Sequence, residues 1–312
     1  MFQHSILVFQ QIIVMFLLIA VGYLLSRKAI LDDHITKGLS LLLNKYIMPM
    51  CILRSFQRPF DAHLGHALLV LLGCGIVLFL LSIALVDRIY PKSRYANYAD
   101  RRVSAVLTNN GFMALPLLEA MFGADGVLLG SAHISCMAIV LWTYGIDQLS
   151  GGREHVSAKS ILINPATLAT LGGILLFCSP IKLPQPVFQA VDLLGDLNTP
   201  LAMLVLGCFI AQTDLRRCFI DRDIWQLAGV RLLVIPAISI ALLLPVPLDA
   251  IAKLVLLTGF AAPCAFSAAM FGQLYGTDHL FSTRAIVLTT LLSALTLPLS
   301  IVVMEGLLHL FA

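Results

Sequence analysis

Leu107-Thr108-Asn109-Asn110-Gly111-Phe112-Met113-Ala114-Leu115-Pro116 stands inside an apolar stretch that runs from Val103 to Phe122. Two adjacent asparagines, a glycine and a proline are poor material for a regular helix. Pro116 has no N–H to offer the carbonyl of Phe112, four residues back. Gly111 removes side-chain bulk and permits an unwound backbone. A second stretch repeats the device: Thr258-Gly259-Phe260-Ala261-Ala262-Pro263-Cys264-Ala265-Phe266-Ser267. Irregular backbone at membrane depth survives only where it lines a cavity or is buried in protein. The two segments are therefore read as broken helices that cross, bringing four half-helix ends to one point. The plainer reading is a pair of proline kinks whose asparagines bond neighbouring helices. The equivalent placement of the breaks in the two halves of the chain favours the crossing.

Composition places these segments in a membrane. Of 312 residues, 59% are apolar and 12% charged, and the mean hydropathy is +0.95. A soluble domain is about 25% charged, so this chain has half the charge that a water-facing surface needs. Soluble enzyme, nucleic-acid module and disordered scaffold are excluded as first readings. The net charge of +3 is small and dispersed, which predicts no nucleic-acid partner. Of the seven cysteines, only Cys218 falls in a polar loop; Cys51, Cys74, Cys136, Cys178, Cys208 and Cys264 lie in apolar segments. No Cys-x-x-Cys or Cys/His ligand spacing occurs, so neither a disulfide framework nor a metal site is expected. The first apolar stretch, Ile6 to Leu25, lacks a basic leader, is long enough to span and is followed by Arg27-Lys28. It reads as a span and not as a cleavable signal.

A span needs about 20 mostly apolar residues, and ten such stretches can be marked. They are Ser5–Ser26, Ile35–Phe56, Leu64–Val86, Val103–Phe122, Gly126–Leu149, Ile161–Ser179, Val187–Gln212, Trp225–Leu244, Ile251–Tyr275 and Phe281–Leu310. The runs are continuously apolar, whereas barrel strands alternate over about ten residues; an all-α polytopic membrane protein follows. Fourteen Lys and Arg fall on one side, including Arg27, Arg88, Arg101, Arg102, Arg153, Lys159, Arg217 and Arg284. Four fall on the other: Arg54, Arg58, Lys182 and Lys253. The richer side is predicted to be cytoplasmic, and ten spans then put both termini outside.

An internal repeat emerges at about half the chain length. Gly22 matches Gly173 and Pro49 matches Pro200, each at an offset of 151; Met121-Phe122-Gly123 recurs as Met270-Phe271-Gly272 at 149. Five spans per half is odd, so the second half, residues 151–312, enters inverted relative to residues 1–150. Inverted repeats with interrupted helices are typical of secondary transporters, whose sites lie where the broken helices meet.

The motifs carry a resemblance. TNNGFMALPLLEAMFG resembles the fourth-helix signature of the auxin efflux carrier family, in which an Asn seven residues before a Pro marks the crossover; Asn109 and Pro116 take those places. GFAAPCAFSAAMFGQLYG with Pro263 is similar to the ninth-helix crossover, LGDLNTPLAMLVLGCFIA with Pro200 and Gly207 to the seventh helix, and STRAIVLTTLLSALTLP to the tenth. The resemblance covers essentially the whole chain. It implies ten helices in two inverted five-helix repeats, with spans 1, 2, 6 and 7 as a scaffold, also a possible dimer face, and the rest as a moving transport domain. It further implies an organic-anion substrate, since bacterial relatives are described as malate, malonate or other carboxylate permeases of the inner membrane. The long cytoplasmic loop of the plant auxin carriers is missing, as Ser150–Ser160 is short, so auxin itself is not implied.

The site expected from this reading comprises Asn109, Asn110, Gly111, Pro116, Gly259, Pro263, Cys264 and Ser267. Asparagine amides and positive helix amino-terminal ends suit an anionic group. Ionisable residues inside spans are functional suspects. Lys45, four residues before Pro49, and Asp196, four before Pro200, occupy repeat-equivalent places. Either they pair, or Lys45 meets the substrate and Asp196 carries a coupling proton. His133 in span 5 is a packing residue or a second coupling candidate. Arg231, about seven residues into span 8, is expected to snorkel to the cytoplasm. His63 and His66 have the i, i+3 spacing of metal ligands but no third ligand nearby. The expectation is a carrier of a mono- or dicarboxylate coupled to protons or sodium, with no other cofactor. Its rivals are a sodium-coupled symporter of the bile-acid type, a channel and a membrane-embedded enzyme. For the last there is no His-Glu-x-x-His, no Gly-x-Ser-x-Gly and no pair of intramembrane aspartates.

Overall fold

Aspartates at the aqueous ends start several of the helices. Asp32, Asp61 and Asp249 accept hydrogen bonds from Ile35 N (2.8 Å), His63 N (2.8 Å) and Ala252 N (2.7 Å), meeting first-turn donors that have no partner within the helix. The computed structural model describes residues 3–152, 163, 165–179 and 181–311, and among them every regular element is helical. The first half contains α1 (Gln3–Arg27), α2 (Asp33–Leu42), α3 (Met48–Ser55), α4 (Ala62–Ile89), α5 (Tyr98–Val106), α6 (Leu115–Val140) and α7 (Ile146–Ser150). The second contains α8 (Pro165–Cys178), α9 (Gln185–Asp196), α10 (Asn198–Gln212), α11 (Leu215–Ile220), α12 (Arg222–Gly229), α13 (Ile235–Leu243), α14 (Ala250–Ala261), α15 (Phe266–Tyr275) and α16 (His279–Phe311).

Six helical stretches among the described residues are long and apolar enough to cross a membrane. They are Phe9–Arg27, Ala62–Ile89, Asn110–Ser150, Gln185–Gln212, Arg222–Leu243 and His279–Leu310. Pro165–Cys178 and Ala250–Ala261 are apolar but shorter. Leu17, Leu80, Leu175 and Leu295 point outward, as a lipid-facing surface requires. The long stretch Asn110–Ser150 turns at Gly123, whose φ of +58° interrupts the helix between the fourth and fifth apolar stretches; that conformation is cheap only for glycine. Arg153 and Lys159, assigned above to the cytoplasmic side, and the start of the sixth stretch lie outside the described residues. Cys218, read as a loop residue, is instead buried on α11.

Several helices are interrupted just ahead of prolines, although Pro298 stands within the unbroken α16 and the π turn Leu141–Gly145 precedes no proline. Three π turns, Leu43–Ile47, Asn110–Ala114 and Val230–Val234, lie just ahead of Pro49, Pro116 and Pro236. Met48 N bonds Leu43 O, Leu115 N bonds Asn110 O and Ile235 N bonds Val230 O, five residues back in each case. A proline cannot bond the carbonyl four residues behind it and its ring crowds that carbonyl, and a wider turn accommodates both facts. The ninth apolar stretch breaks completely, between α14 and α15, at Pro263.

Close packing relies on glycine. α1 lies along α10 with the two backbones almost touching: a Cβ at Gly22 would fall on the Leu204 carbonyl, and one at Gly207 on the Ile19 carbonyl. On the charge-rich end, Arg101 pairs with Asp223 and stacks over Tyr95 and Phe281, with centroids at 4.4 and 4.8 Å. Arg102 pairs with Asp87 at 3.2 Å and Arg284 with Asp221 at 3.2 Å. These contacts join α4, α5, α12 and α16 at their ends.

Candidate functional site

The two broken stretches do cross, and their backbones pair there. Thr108 and Cys264 form an isolated antiparallel bridge. Asn109 N donates to Pro263 O at 2.8 Å and Ala265 N to Leu107 O at 3.0 Å. Leu107, Ala262 and Ala265 are extended. Each segment thus supplies one backbone hydrogen bond to the other where its helix stops, which satisfies groups that could find no water in a membrane.

Six of the expected site residues lie on or next to this crossing, Asn109, Asn110, Gly111, Gly259, Pro263 and Cys264, while Pro116 stands in the first turn of α6, beyond the π turn. Asn109 is 4% exposed, and its side-chain Nδ2 has no hydrogen-bond partner. Asn110 is already engaged: Thr108 Oγ1 donates to its Oδ1, and its Nδ2 lies 3.1 Å from Met137 Sδ. Gly111 lets Met48 approach, since an added Cβ would lie 2.5 Å from the Met48 sulfur. Its carbonyl accepts from Asn198 Nδ2 at 3.4 Å, a contact across to α10. Cys264 is buried, with its N–H on Thr289 Oγ1 at 3.2 Å. Ser267, in the first turn of α15, has a buried hydroxyl with no partner.

His133 joins the site through packing. It is 2% exposed, held between Phe79 (5.2 Å) and Phe260 (4.5 Å), with both ring nitrogens unpartnered. Its ring rests on the backbone of Gly259, where an added Cβ would come within 2.7 Å. A cavity of about 10 Å³ opens among His133, Asn110 and Gly259, room for roughly one water. A larger depression of about 650 Å³ lies elsewhere, open to solvent among Arg58, Phe60, His63, Asp125 and Asp249. Arg58 pairs there with Asp125, and His63 Nδ1 is 4.0 Å from Asp249.

Lys45 and Asp196 do not pair. Lys45 is exposed, within the π turn ahead of Pro49. The wider turn takes in an extra residue and so changes the facing of its side chains from that of a regular helix, about 100° per residue. Asp196 bonds Arg54 instead, at 2.6 Å. Arg54 also reaches Asp192 Oδ1 at 3.1 Å and pairs with Glu119. Gly195 makes room for it, since a Cβ there would sit 2.9 Å from Arg54 Nε. Replacing Arg54 by Met leaves three carboxylates facing one another. The expected loss is below the roughly 3–5 kcal/mol of a fully buried pair, because Asp192 and Asp196 are half open to solvent. It should still exceed the roughly 0.5 kcal/mol of an ordinary surface change, which is what Lys45→Met should show. Thermal unfolding of the two purified variants checks the order, and the reverse order would return the key charge to Lys45.

Arg231 does not snorkel. Its side chain is wholly buried and points at the crossing, where it donates to the carbonyls of Ala105, Val106, Phe260 and Ala262. Arg231, Asn198 and the Arg54 cluster were not gathered into the site by sequence. The available signal for Arg231 was an arginine five residues before Pro236 in an otherwise apolar run, which marks a charge that needs a partner but not which partner.

Comparison with known proteins identifies the family. A family described as membrane transport protein matches residues 7–301. An uncharacterized transporter of Methanocaldococcus jannaschii is 23% identical over 305 residues, covering 92% of this chain and 96% of the relative. An uncharacterized transporter of Methanothermobacter thermautotrophicus is 22% identical over 295 residues, covering 92% and 95%. With the signature motifs in order and the broken stretches crossing as those motifs imply, the chain belongs to the membrane transport protein family of the auxin efflux carriers, and is a multi-pass membrane transporter and not an enzyme.

Proposed function

We propose that the protein is a secondary active carrier of a small organic anion, a mono- or dicarboxylate such as malate or malonate, working by alternating access across a bacterial inner membrane with both termini outside. The observation that carries this reading is Asn109. A buried amide N–H group without a partner costs about 1–3 kcal/mol, so a site that keeps one is arranged for a ligand. That amide sits beside the amino-terminal ends of α15 and of the helix that begins at Asn110, where the helix dipoles favour an anion. Gly111 and Gly259 allow close backbone approach, Pro116 and Pro263 keep the helices open, and Cys264 and Ser267 lie on the adjoining turn. His133, which lines the small cavity with Asn110 and Gly259, is the candidate group for a coupled proton.

Two contacts support ten helices in two inverted repeats. Gly22 in span 1 packs on Leu204 in span 7, and Gly173 in span 6 packs on Phe56 in span 2, the same pair of contacts under the repeat. Spans 1, 2, 6 and 7 then form the scaffold and the other six the transport domain. Arg54 with Glu119 and Arg58 with Asp125 tie the two together on the side poorer in basic residues, as a state closed on that side requires.

A thermal-shift screen of the purified protein against organic acids tests the reading. A ligand that binds only the folded state raises apparent stability by RT ln(1 + [L]/Kd), about 2.7 kcal/mol at a hundredfold excess over Kd. A saturable shift with a carboxylate and none with amines of similar size is the expected result. Shifts with cations or neutral solutes alone would overturn it.

A further inference from the structure

Arg231 satisfies the carbonyls that the crossing deprives of their helical donors. In a continuous helix Asn109 N would bond Ala105 O, but it donates to Pro263 O. Asn110 N would bond Val106 O, but it donates to Thr108 O. Cys264 N would bond Phe260 O, but it donates to Thr289 Oγ1. Ala105 O, Val106 O and Phe260 O are the acceptors that Arg231 fills, at 3.2, 3.5 and 2.5 Å, together with Ala262 O at 2.9 Å. The guanidinium is fully buried and forms no ion pair with a carboxylate among the described residues. Its counter-charge is the pair of helix carboxyl-terminal ends of α5 and α14. Each end carries about half a negative charge, so two of them offset one guanidinium.

In carriers with broken helices, such carbonyl ends coordinate the coupling cation. Here a covalently attached cation occupies that place. We propose that Arg231 is the built-in cation of the crossing: it takes the carbonyl cluster that a sodium ion would otherwise bind, holds both broken segments in register, and so positions Asn109 for its ligand without sodium. The anion clause rests on the function proposed above; the sodium clause does not. Arg231 is a positioning residue, acting through the backbone of residues 105–109 and 260–263. Its fork of five N–H donors suits several carbonyls at once, which a lysine ammonium, a compact point charge, serves less well.

The test uses the purified full chain at fixed ionic strength, exchanging sodium chloride for choline chloride, with malonate as the anionic probe. The wild type is expected to show the same melting temperature and the same malonate Kd in both salts. Arg231→Ala should melt lower, bind malonate at least tenfold more weakly, and regain stability saturably with millimolar ethylguanidinium or sodium. Arg231→Met, which fills the space without charge, should not be rescued. A saturable sodium-dependent rise in the wild-type melting temperature would overturn the proposal, and so would Arg231→Ala that no small cation rescues. If Arg231→Ala yields no folded protein, the wild-type sodium comparison and Arg231→Lys still decide it; Lys should be weaker than Arg but stay sodium-independent. Failure of the wild type to bind any carboxylate removes the anion reading and leaves the sodium result standing.

Discussion

Asn109→Ala should weaken binding of the preferred organic anion by about 1.5–3 kcal/mol, the range for a hydrogen bond to a charged group, or roughly 10- to 150-fold. The fold should survive. The structural work of this residue is done by its backbone, whose N–H donates to Pro263 O at 2.8 Å, and alanine keeps that bond. Its side-chain Nδ2 bonds nothing in the protein, so truncation strands no partner. Asn110→Ala differs in kind, because it removes the acceptor of the Thr108 hydroxyl and the Met137 contact. It should lower stability more than Asn109→Ala does. His133→Ala is the control for affinity, since a ring packed between Phe79 and Phe260 has a smaller direct effect on an anion. Calorimetric titration of the purified variants and uptake into proteoliposomes read the result. Unchanged affinity and unchanged uptake in Asn109→Ala would move the binding site away from the crossing.

Gly207→Leu is the substitution expected to damage the fold most. A Cβ at Gly207 collides with the Ile19 carbonyl and lies 2.6 Å from Tyr23 N. These are backbone atoms of a packed helix, which cannot turn aside as the end of a flexible side chain can. Overpacking costs about 1–3 kcal/mol where side chains can shift, and here α1 and α10 must separate as bodies. The expected loss is at or above the top of that range, and little monodisperse protein should survive detergent extraction. Gly229→Leu, where an added Cβ meets nothing within 4 Å, should extract like the wild type. Size-exclusion chromatography of the two variants side by side decides it. Equal recovery would mean that the close contact of α1 and α10 does not hold the molecule together.

Much of this molecule was legible in the chain itself, because the deciding signals are local. A proline lacks its N–H wherever it is placed, so Pro263 announced the break between α14 and α15 and Pro116 the π turn ahead of it. That turn lies beside the break at residues 107–109, whereas Pro298 left α16 unbroken. The motif around Asn109 and the long apolar runs marked a membrane protein of this family, since continuous apolarity has few other uses. Where each charge finds its partner was decided only by tertiary structure. Lys45 and Asp196 looked like a pair by repeat position, yet the π turn ahead of Pro49 leaves Lys45 exposed, and the gap at Gly195 admits Arg54 in its place. Arg231 looked like a surface-seeking arginine because its partners are backbone carbonyls. Carbonyls carry no residue identity, and they became free acceptors only when two segments more than 150 residues apart met and exchanged their hydrogen bonds.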